Sequence, residues 1–241
     1  MVKLRKSLGQ NFLLDKSVGE RMVVALNLAD DDLVVEIGSG NGAVTEALTR
    51  YNINLYATEI DKRLIDFLKN KFPKANVVNA NILKWLPDFK PYKTFKIIGS
   101  LPYYITSPIL HETVRCNIST AVFLVQKEVA KKISISAPNA SYLSTFIQTF
   151  FSVTYLEMVD RNKFEPAPKV DSAVLQFVRK PSVNIDINKY EKFLHQGFSK
   201  PRKMLKKVLP LELLEKSGVN PNDRPQHIPL QIWIRMFKAQ I

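Results

Sequence analysis

A strand, a glycine-rich turn and a helix follow one another over residues 33–48, and no other stretch constrains the fold as strongly. The strand, Leu-Val-Val-Glu-Ile, is rich in β-branched residues, as expected for a strand buried in a parallel sheet. Gly38, Gly40 and Gly42 follow it, and they allow the backbone to approach a ligand where a Cβ atom would block the way. The stretch predicts a small-molecule site at the end of a buried strand.

A second strand is predicted over residues 55–61, and Glu59 lies near its carboxyl end. A carboxylate at this place can accept hydrogen bonds from the hydroxyl groups of a ribose. The two strands therefore predict a nucleoside-binding half-fold. The spacing Gly38-x-Gly40-x-x-Ala43 also fits the dinucleotide fingerprint, so NAD and S-adenosylmethionine both remain candidate cofactors, beside a glycine turn that holds no ligand.

Predicted strands and helices alternate through most of the chain. Further strands are predicted over residues 76–79, 95–99, 120–125 and 173–178, and helices over residues 18–26, 64–72, 126–133 and 142–151. This alternation indicates an α/β fold with a doubly wound, mostly parallel sheet, in which ligands bind at the carboxyl ends of the strands. Residues 164–172 contain Pro166 and Pro168 and predict a rigid loop beside the sheet.

The last quarter of the chain differs in pattern and in charge. Residues 179–188 predict a linker, and only helical periodicity follows, so we expect one domain over residues 1–179 and a small all-helical domain over residues 180–241. The net charge of the chain is +13, and residues 180–241 carry +7 of it, from twelve Lys and Arg against five Asp and Glu. Such a charge makes a polyanion the expected partner.

The densest basic run, residues 200–207, contains five cations and no acid. A solvated helix face is the ordinary explanation for a run of charges, but such faces usually mix both signs. The lack of acids favours nucleic acid binding. The residues predicted to bind RNA are Lys200, Arg202, Lys203, Lys206 and Lys207.

Cysteine and histidine usage limits the class of protein. The chain has one cysteine and three histidines, none at the spacing of metal ligands, so neither a disulfide framework nor a metal site is predicted. The amino terminus is basic, but residues 7–11 interrupt any apolar segment of the kind that a signal peptide needs. We therefore expect a soluble, cytoplasmic protein.

Ser100-Leu101-Pro102-Tyr103 follows the strand predicted over residues 95–99, on the same edge of the sheet as the glycine turn. It resembles the (Asp/Asn/Ser)-Pro-Pro-(Tyr/Phe) signature of methyltransferases that act on exocyclic amines. The N6 atom of adenine is a poor nucleophile because its lone pair is delocalised into the ring, so such a site must offer acceptors to the amino hydrogens. The Ser100 side chain and the Leu101 carbonyl are candidates, and Tyr103 offers a ring on which a flipped base can stack.

Further motifs extend the resemblance over almost the entire chain. They are Gly9-Gln10-Asn11-Phe12-Leu13, Val35-Glu36-Ile37-Gly38-Ser39-Gly40, Leu101-Pro102-Tyr103, Val125-Gln126-Lys127-Glu128, Phe164-x-Pro166-x-Pro168-Lys169-Val170-x-Ser172 and the Arg202-Lys203 cluster. With these motifs the chain resembles the KsgA/Erm family of rRNA adenine N6-dimethyltransferases, a family with a Rossmann-like class I methyltransferase fold. The Val-Gln-Lys-Glu segment and the compact basic domain favour the KsgA branch, which acts on small-subunit rRNA, over the Erm branch, which acts on large-subunit rRNA.

The resemblance implies roles for individual positions. Asn11 and Leu13 would border the methionine part of S-adenosylmethionine, and the glycines at 38 and 40 would lie against it. Glu59 would hold the ribose hydroxyls. Phe164 would supply a second stacking face for the target base.

Three positions depart from the family. Asn81 stands where the family usually has an Asp that accepts a hydrogen bond from the adenine amine of the cofactor, and an amide oxygen can accept the same bond without the charge. Ser100 and Tyr104 each stand where the family usually has an Asn. Two of the departures, at 81 and 100, lie in the site itself, so they bear on catalytic strength and leave the fold unaffected.

The leading hypothesis is S-adenosylmethionine-dependent dimethylation of two adjacent adenosines near the 3′ end of small-subunit (16S) rRNA, by a monomer that acts on an assembling 30S particle. One alternative is an Erm-type enzyme that methylates large-subunit rRNA. Another is a ribosome-assembly factor with weak or lost turnover, which the residues at 81 and 100 motivate. An NAD-dependent oxidoreductase rests only on the glycine spacing.

Overall fold

A computed structural model describes residues 10–181 and 183–240 of the chain. Nine strands and ten helices lie in these residues. The strands are β1 (Phe12–Leu13), β2 (Leu33–Ile37), β3 (Asn54–Glu59), β4 (Asn76–Asn79), β5 (Phe95–Ser100), β6 (Ile118–Gln126), β7 (Phe151–Val159), β8 (Phe164–Glu165) and β9 (Ser172–Arg179). The helices are α1 (Lys16–Ala25), α2 (Ala43–Leu48), α3 (Lys62–Lys71), α4 (Ile82–Asp88), α5 (Thr106–Arg115), α6 (Lys127–Ser134), α7 (Tyr142–Phe150), α8 (Ile187–Gly197), α9 (Leu211–Lys216) and α10 (Leu230–Gln240).

Seven strands form one sheet in the order β4-β3-β2-β5-β6-β9-β7, and β1 pairs with β8 in a separate two-stranded ladder. The five strands from β4 to β6 are parallel, whereas β9 runs antiparallel to β6. The chain moves outward from β2 through β3 to β4 and then returns to the other side of β2 as β5. The predicted α/β fold with a doubly wound, mostly parallel sheet is confirmed, and the reversal beside β2 is the place where such sheets bind ligands.

The apolar periodicity that predicts helix α1 also identifies the face that it buries. Val18, Met22, Val23 and Leu26 are all buried, and they belong to one cluster with apolar residues of the central strands. Strand β2 is buried along its whole length, as its β-branched composition predicts. This packing fixes the end of β2, from which the glycine turn begins.

Helices α4 and α5 and strand β7 are not predicted by the sequence analysis. Strand β7 ends the order of the sheet, and most of its residues are at least partly exposed, so its sequence shows neither a buried run nor a clean alternation. Helix α4 contains Pro87, and α5 contains Pro108 near its start, and each proline weakens a helical pattern. In both helices the tertiary context outweighs the local signal.

The described chain divides into two compact units. The first contains the residues up to 130 together with 154–179, and the second contains residues 131–153 together with the segment from 180 onward. The sequence-based boundary between residues 179 and 180 is one of the points at which the chain passes from one unit to the other. Residues 131–153 contribute α7 to the second unit, which the sequence does not foresee.

Aromatic side chains form the interior of the second unit. Trp233 is fully buried and stacks on Phe198 with the ring centroids 5.0 Å apart, while Gly197 leaves room for the indole ring. The buried Tyr190 lies within hydrogen-bond distance of Thr149 on α7, with the two hydroxyl oxygens 3.0 Å apart. Helix α7 thus completes a core with the C-terminal helices. No helix in the described part of the chain is long and apolar enough to cross a membrane.

Candidate active site

A cavity of about 180 Å³ opens at the carboxyl ends of β2, β3 and β5, beside the reversal of the strand order. Every residue predicted to bind the cofactor or to take part in catalysis lines it. These residues are Asn11, Leu13, Gly38, Gly40, Glu59, Asn81, Ser100, Leu101, Pro102, Tyr103 and Phe164. Gly9, which begins one of the sequence motifs, lies outside the described residues.

The glycine turn forms one wall of the cavity, and Phe12 packs directly against it. Gly40 has a φ of +54°, and a Cβ atom there would lie 3.0 Å from the Phe12 ring. The side-chain amide of Asn41 donates a hydrogen bond of 3.3 Å to the Leu13 carbonyl. A side chain at position 40 would therefore be strained and would push β1 away from the turn. On the cavity side, a Cβ atom at Gly38 would meet only the Ser100 carbonyl oxygen, 3.8 Å away, so the turn leaves space for a ligand.

Glu59 ends β3 and is only 6% exposed. Its carboxylate accepts two backbone hydrogen bonds, from the Gly40 N–H to Oε2 at 2.9 Å and from the Asp61 N–H to Oε1 at 2.8 Å. Burial raises the pKa of this carboxyl above its usual value. Each carboxylate oxygen keeps lone-pair capacity beyond its backbone bond, so Glu59 is built to accept hydrogen bonds from a pair of hydroxyl groups.

Asp61 supports Glu59 through the backbone N–H that donates to the Glu59 carboxylate. The sequence analysis did not identify Asp61 as a site residue. The Asp61 side chain caps the start of α3, and it accepts a hydrogen bond of 2.9 Å from the Gln10 amide and another of 2.9 Å from Nε of Arg63. The hydrogen bonds from Arg63 hold the pKa of this carboxyl well below its usual range. Asp61 stands directly before the observed helix α3, two residues earlier than the predicted helix start allows, so its N-cap role was not recognised. Its link to Gln10 depends on the tertiary fold.

Glu36 is a second acid that the sequence analysis did not single out. It is buried within β2, its Oε2 accepts a hydrogen bond of 2.6 Å from the Thr45 hydroxyl, and burial raises the pKa of its carboxyl to about 7. The Thr58 hydroxyl donates to the Glu36 carbonyl at 2.8 Å. Glu36 therefore ties β2 to helix α2 behind the glycine turn. An acid inside an otherwise apolar strand was the signal that could have revealed it.

Asn81 also lines the cavity, between β4 and α4, and its side chain caps helix α4. Its Oδ1 accepts a hydrogen bond of 3.1 Å from the Leu83 N–H, which fixes the orientation of the amide group. An amide oxygen has two lone pairs, so one remains to accept a hydrogen bond from an amine in the cavity. The same pairing would be available to the Asp that the family usually has.

The turn from Ser100 to Tyr104 forms the other wall of the cavity. Gly99 precedes it because β5 passes so close to β2 that a Cβ atom would lie 2.6 Å from the Ile37 carbonyl oxygen. The Leu101 N–H donates to the Leu124 carbonyl at 2.9 Å, which carries the pairing of β5 and β6 into the turn. Leu101 is buried, Ser100 is partly exposed and Tyr104 is 60% exposed, so this wall opens to solvent at Tyr104.

Phe164 reaches the cavity from β8. Its backbone pairs with Leu13 of β1, and the side chain is 5% exposed. The Leu14 N–H also donates to the Lys163 carbonyl at 2.8 Å. These contacts join the predicted cofactor segment around Leu13 to the predicted base-stacking residue, which the sequence placed far apart.

The predicted RNA-binding residues belong to the second unit and do not line the cavity. All five lie between α8 and α9 and are exposed, and within the described residues no acidic side chain forms an ion pair with any of them. The buried Leu205 anchors the segment. The segment therefore presents uncompensated positive charge to solvent.

Comparisons with known proteins agree with this geometry. Residues 1–240 match the family described as "Ribosomal RNA adenine dimethylase". The "Ribosomal RNA small subunit methyltransferase A" of Mycoplasma mobile is 40% identical over 248 residues, which cover 97% of this chain and 96% of that protein. The protein of the same name from Sulfurihydrogenibium sp. is 36% identical over 251 residues, which cover 98% and 96% of the two chains.

A solved structure shares the fold as well. The structure of the 23S rRNA methyltransferase ErmE matches with a TM-score of 0.77 and 28% sequence identity, and the match covers 95% of this chain and 98% of that one. S-adenosylmethionine is the cofactor of this family, and the residues present fit it, because the glycine turn and the buried Glu59 carboxylate border one cavity, as a nucleoside site requires. The resemblance drawn from the sequence motifs is confirmed: the chain belongs to the ribosomal RNA adenine dimethylase family and is an S-adenosylmethionine-dependent rRNA adenine dimethyltransferase.

Proposed function

We propose that this enzyme dimethylates the N6 atoms of two adjacent adenosines near the 3′ end of small-subunit (16S) rRNA, in an assembling 30S particle in the cytoplasm, and that it acts as a monomer. One observation carries the proposal. A single cavity is lined both by a nucleoside-binding wall, from Gly38 to Glu59, and by a base-accepting wall, from Ser100 to Tyr103. Similarity over nearly the whole chain to proteins named as small-subunit methyltransferases supports the choice of rRNA.

The cofactor supplies an electrophilic methyl group on a sulfonium. On this side of the cavity, Glu59 would accept hydrogen bonds from the ribose hydroxyls and Asn81 would accept one from the adenine amine. The glycines at 38 and 40, together with Asn11 and Leu13, would border the methionine part. These contacts bind and orient the cofactor, and positioning of this kind contributes to the rate without a general base.

The Ser100 to Tyr103 wall would hold the target adenine. The Ser100 hydroxyl and the Leu101 carbonyl would accept hydrogen bonds from the two N6 hydrogens, which draws the nitrogen lone pair out of conjugation with the ring. Pro102 stiffens the turn. Tyr103 and Phe164 would stack on the two faces of the flipped base, each face contributing about 1 to 3 kcal/mol.

The second part of the proposal concerns RNA binding. Residues 1–179 would act as the methyltransferase domain, and residues 180–241 as a basic helical domain that binds rRNA phosphates through the Lys200 to Lys207 segment. The exposed, uncompensated charge of that segment supports this assignment. Phosphate contacts contribute affinity and register, whereas the cavity selects the base.

Mass spectrometry on 30S particles that lack the modification tests the proposal. After incubation with the protein and S-adenosylmethionine, we expect dimethyladenosine at two adjacent positions near the 3′ end of the rRNA. Transfer only to naked large-subunit rRNA would instead support an Erm-type enzyme. Tight binding to the 30S particle without any transfer would support the assembly factor that the residues at 81 and 100 motivate.

A further inference from the structure

The hydroxyl of Tyr103 lies within hydrogen-bond distance of a serine hydroxyl inside the protein. Its oxygen lies 2.9 Å from the hydroxyl oxygen of Ser172, the first residue of β9. Ser172 is 1% exposed, and both residues line the same cavity. Ser172 belongs to the Phe164 to Ser172 motif, to which neither the sequence nor the proposed function assigns a role at this position.

Several contacts fix the place of Ser172. It pairs with Gln126 in the ladder between β6 and β9. Just before it, the Asp171 carbonyl accepts a hydrogen bond of 3.0 Å from the Lys127 N–H, and the Asp171 carboxylate lies 3.5 Å from the Lys127 ammonium group. The backbone of Ser172 is therefore held by the sheet itself, and its place does not depend on the exposed turn that carries Tyr103.

Tyr103 has weaker local support. It begins a single 3₁₀ turn, Tyr103–Ile105, and its neighbour Tyr104 is largely exposed. A tyrosine ring at such a turn can rotate about two side-chain bonds unless its far end is held. Burial raises the pKa of the Tyr103 phenol, so the hydroxyl stays protonated at neutral pH and can take part in the hydrogen bond.

We propose that Ser172 is a positioning residue for the target adenine, because its hydrogen bond to the Tyr103 hydroxyl holds the stacking ring in place at the sheet edge. The inference rests on the proposed role of Tyr103 in base stacking. It also explains why the motif that carries Phe164 ends at Ser172: one loop then places both stacking faces, Phe164 directly and Tyr103 through its hydroxyl.

A double-mutant cycle tests the inference. The variants are Tyr103→Phe, which keeps the ring, Ser172→Ala, and the two combined, with Ser172→Thr as the variant that keeps a hydroxyl. Each single change removes the same hydrogen bond, so we expect each to weaken base capture about two- to ten-fold and the double variant to lose no more than either. Ser172→Thr should recover most of the loss seen in Ser172→Ala.

Two measurements give the loss of base capture for each variant of the cycle. One is the fluorescence of 2-aminopurine at the target position of the rRNA in 30S particles, which increases when the base leaves its stack and needs no methyl transfer. The other is single-turnover methylation of 30S particles. The half-saturating concentration of particles should rise and the rate should fall, while the Kd for S-adenosylmethionine stays constant. Ser217→Ala is the control, because it removes a buried hydroxyl that has no hydrogen-bond partner within the described residues.

The outcomes separate the two proposals. If the parent transfers no methyl group but the fluorescence cycle is non-additive, the proposed reaction fails and the positioning role stands. If Ser172→Ala captures the base as well as the parent does, or if the two single losses multiply in the double variant, the positioning role is wrong. A fall in melting temperature and in cofactor affinity that matches the loss of capture would also contradict it, because that pattern belongs to a structural residue.

Discussion

The two walls of the cavity are built differently. On the cofactor wall, the Glu59 carboxylate is almost fully buried and accepts two backbone hydrogen bonds, and the exposed Asn81 amide accepts one. On the base wall, Tyr104 is exposed, and the Tyr103 hydroxyl lies 2.9 Å from the hydroxyl of Ser172. The polar groups of the cofactor wall are thus fixed by backbone hydrogen bonds, whereas the Tyr103 hydroxyl on the base wall pairs with another side chain.

This difference fits the different tasks of the two walls. A small cofactor is bound more tightly by groups that are already in place, because less ordering is lost on binding. A base that is flipped out of RNA must enter and leave through an open edge, so a wall with few fixed contacts suits it. Changes on the cofactor wall should therefore alter the Kd for cofactor, and changes on the base wall should alter base capture and rate.

The largest effect is expected for Glu59→Ala. The variant loses a charge-assisted hydrogen bond worth about 1.5 to 3 kcal/mol, so the Kd for S-adenosylmethionine should rise about ten- to a hundred-fold. Calorimetry measures this, and RNA binding should barely change. Glu46→Ala is the matched control, because Glu46 forms only partly exposed ion pairs with Lys16 and Lys71. An unchanged Kd for the Glu59 variant would remove that residue from the site.

The next effect is expected for Tyr103→Ala, which removes one stacking face of about 1 to 3 kcal/mol. Single-turnover methylation of 30S particles should slow about five- to a hundred-fold, while the Kd for cofactor stays within two-fold of the parent. Tyr92→Ala serves as the control, because that side chain is 97% exposed. A large change in cofactor affinity would show that the two walls are not separate.

Reversing Arg202 and Lys203 to Glu changes neither wall. We expect binding to 30S particles to weaken about ten-fold, with a shallower dependence on salt because fewer counterions are released. Cofactor affinity should be unaffected. The matched reversal of Lys62 and Lys69, two exposed cations of α3, should weaken binding less. If the Arg202 and Lys203 variant binds 30S particles as well as the parent does across a salt titration, the basic segment is only a solvated surface without a role in binding.

Ser100 should give an effect no larger than that of the charge reversal. A Ser hydroxyl is shorter and a poorer acceptor than the Asn amide that the family usually has, so turnover in this protein should be slow but measurable. Ser100→Asn should be as fast as the parent or faster, and Ser100→Ala about ten-fold slower, since a single hydrogen bond is lost in the transition state. If Ser100→Ala matches the parent in single-turnover methylation, the hydroxyl has no role in catalysis. Ser107→Ala, an exposed serine on α5, is the control.

The sequence predicts those features that local pattern encodes. The β-branched run before Gly38 predicts β2, and parallel alternation places Glu59 and Ser100 at one edge of the sheet, where the structure has them. Asp61 and Ser172 were missed as supporting residues because their partners, Gln10 and Tyr103, are distant in sequence. Contacts of this kind follow from packing, so no periodicity reveals them.

The most direct test of the two-wall account is the kcat/KM of the double variant Glu59→Ala/Tyr103→Ala in methylation of 30S particles. The two side chains share no hydrogen-bond partner among the bonds described above, so their free-energy losses should add within about 0.5 kcal/mol. The account predicts a fold-loss equal to the product of the two single losses. A double variant that loses no more than the worse of the two single variants would contradict it, because the walls would then act as one unit.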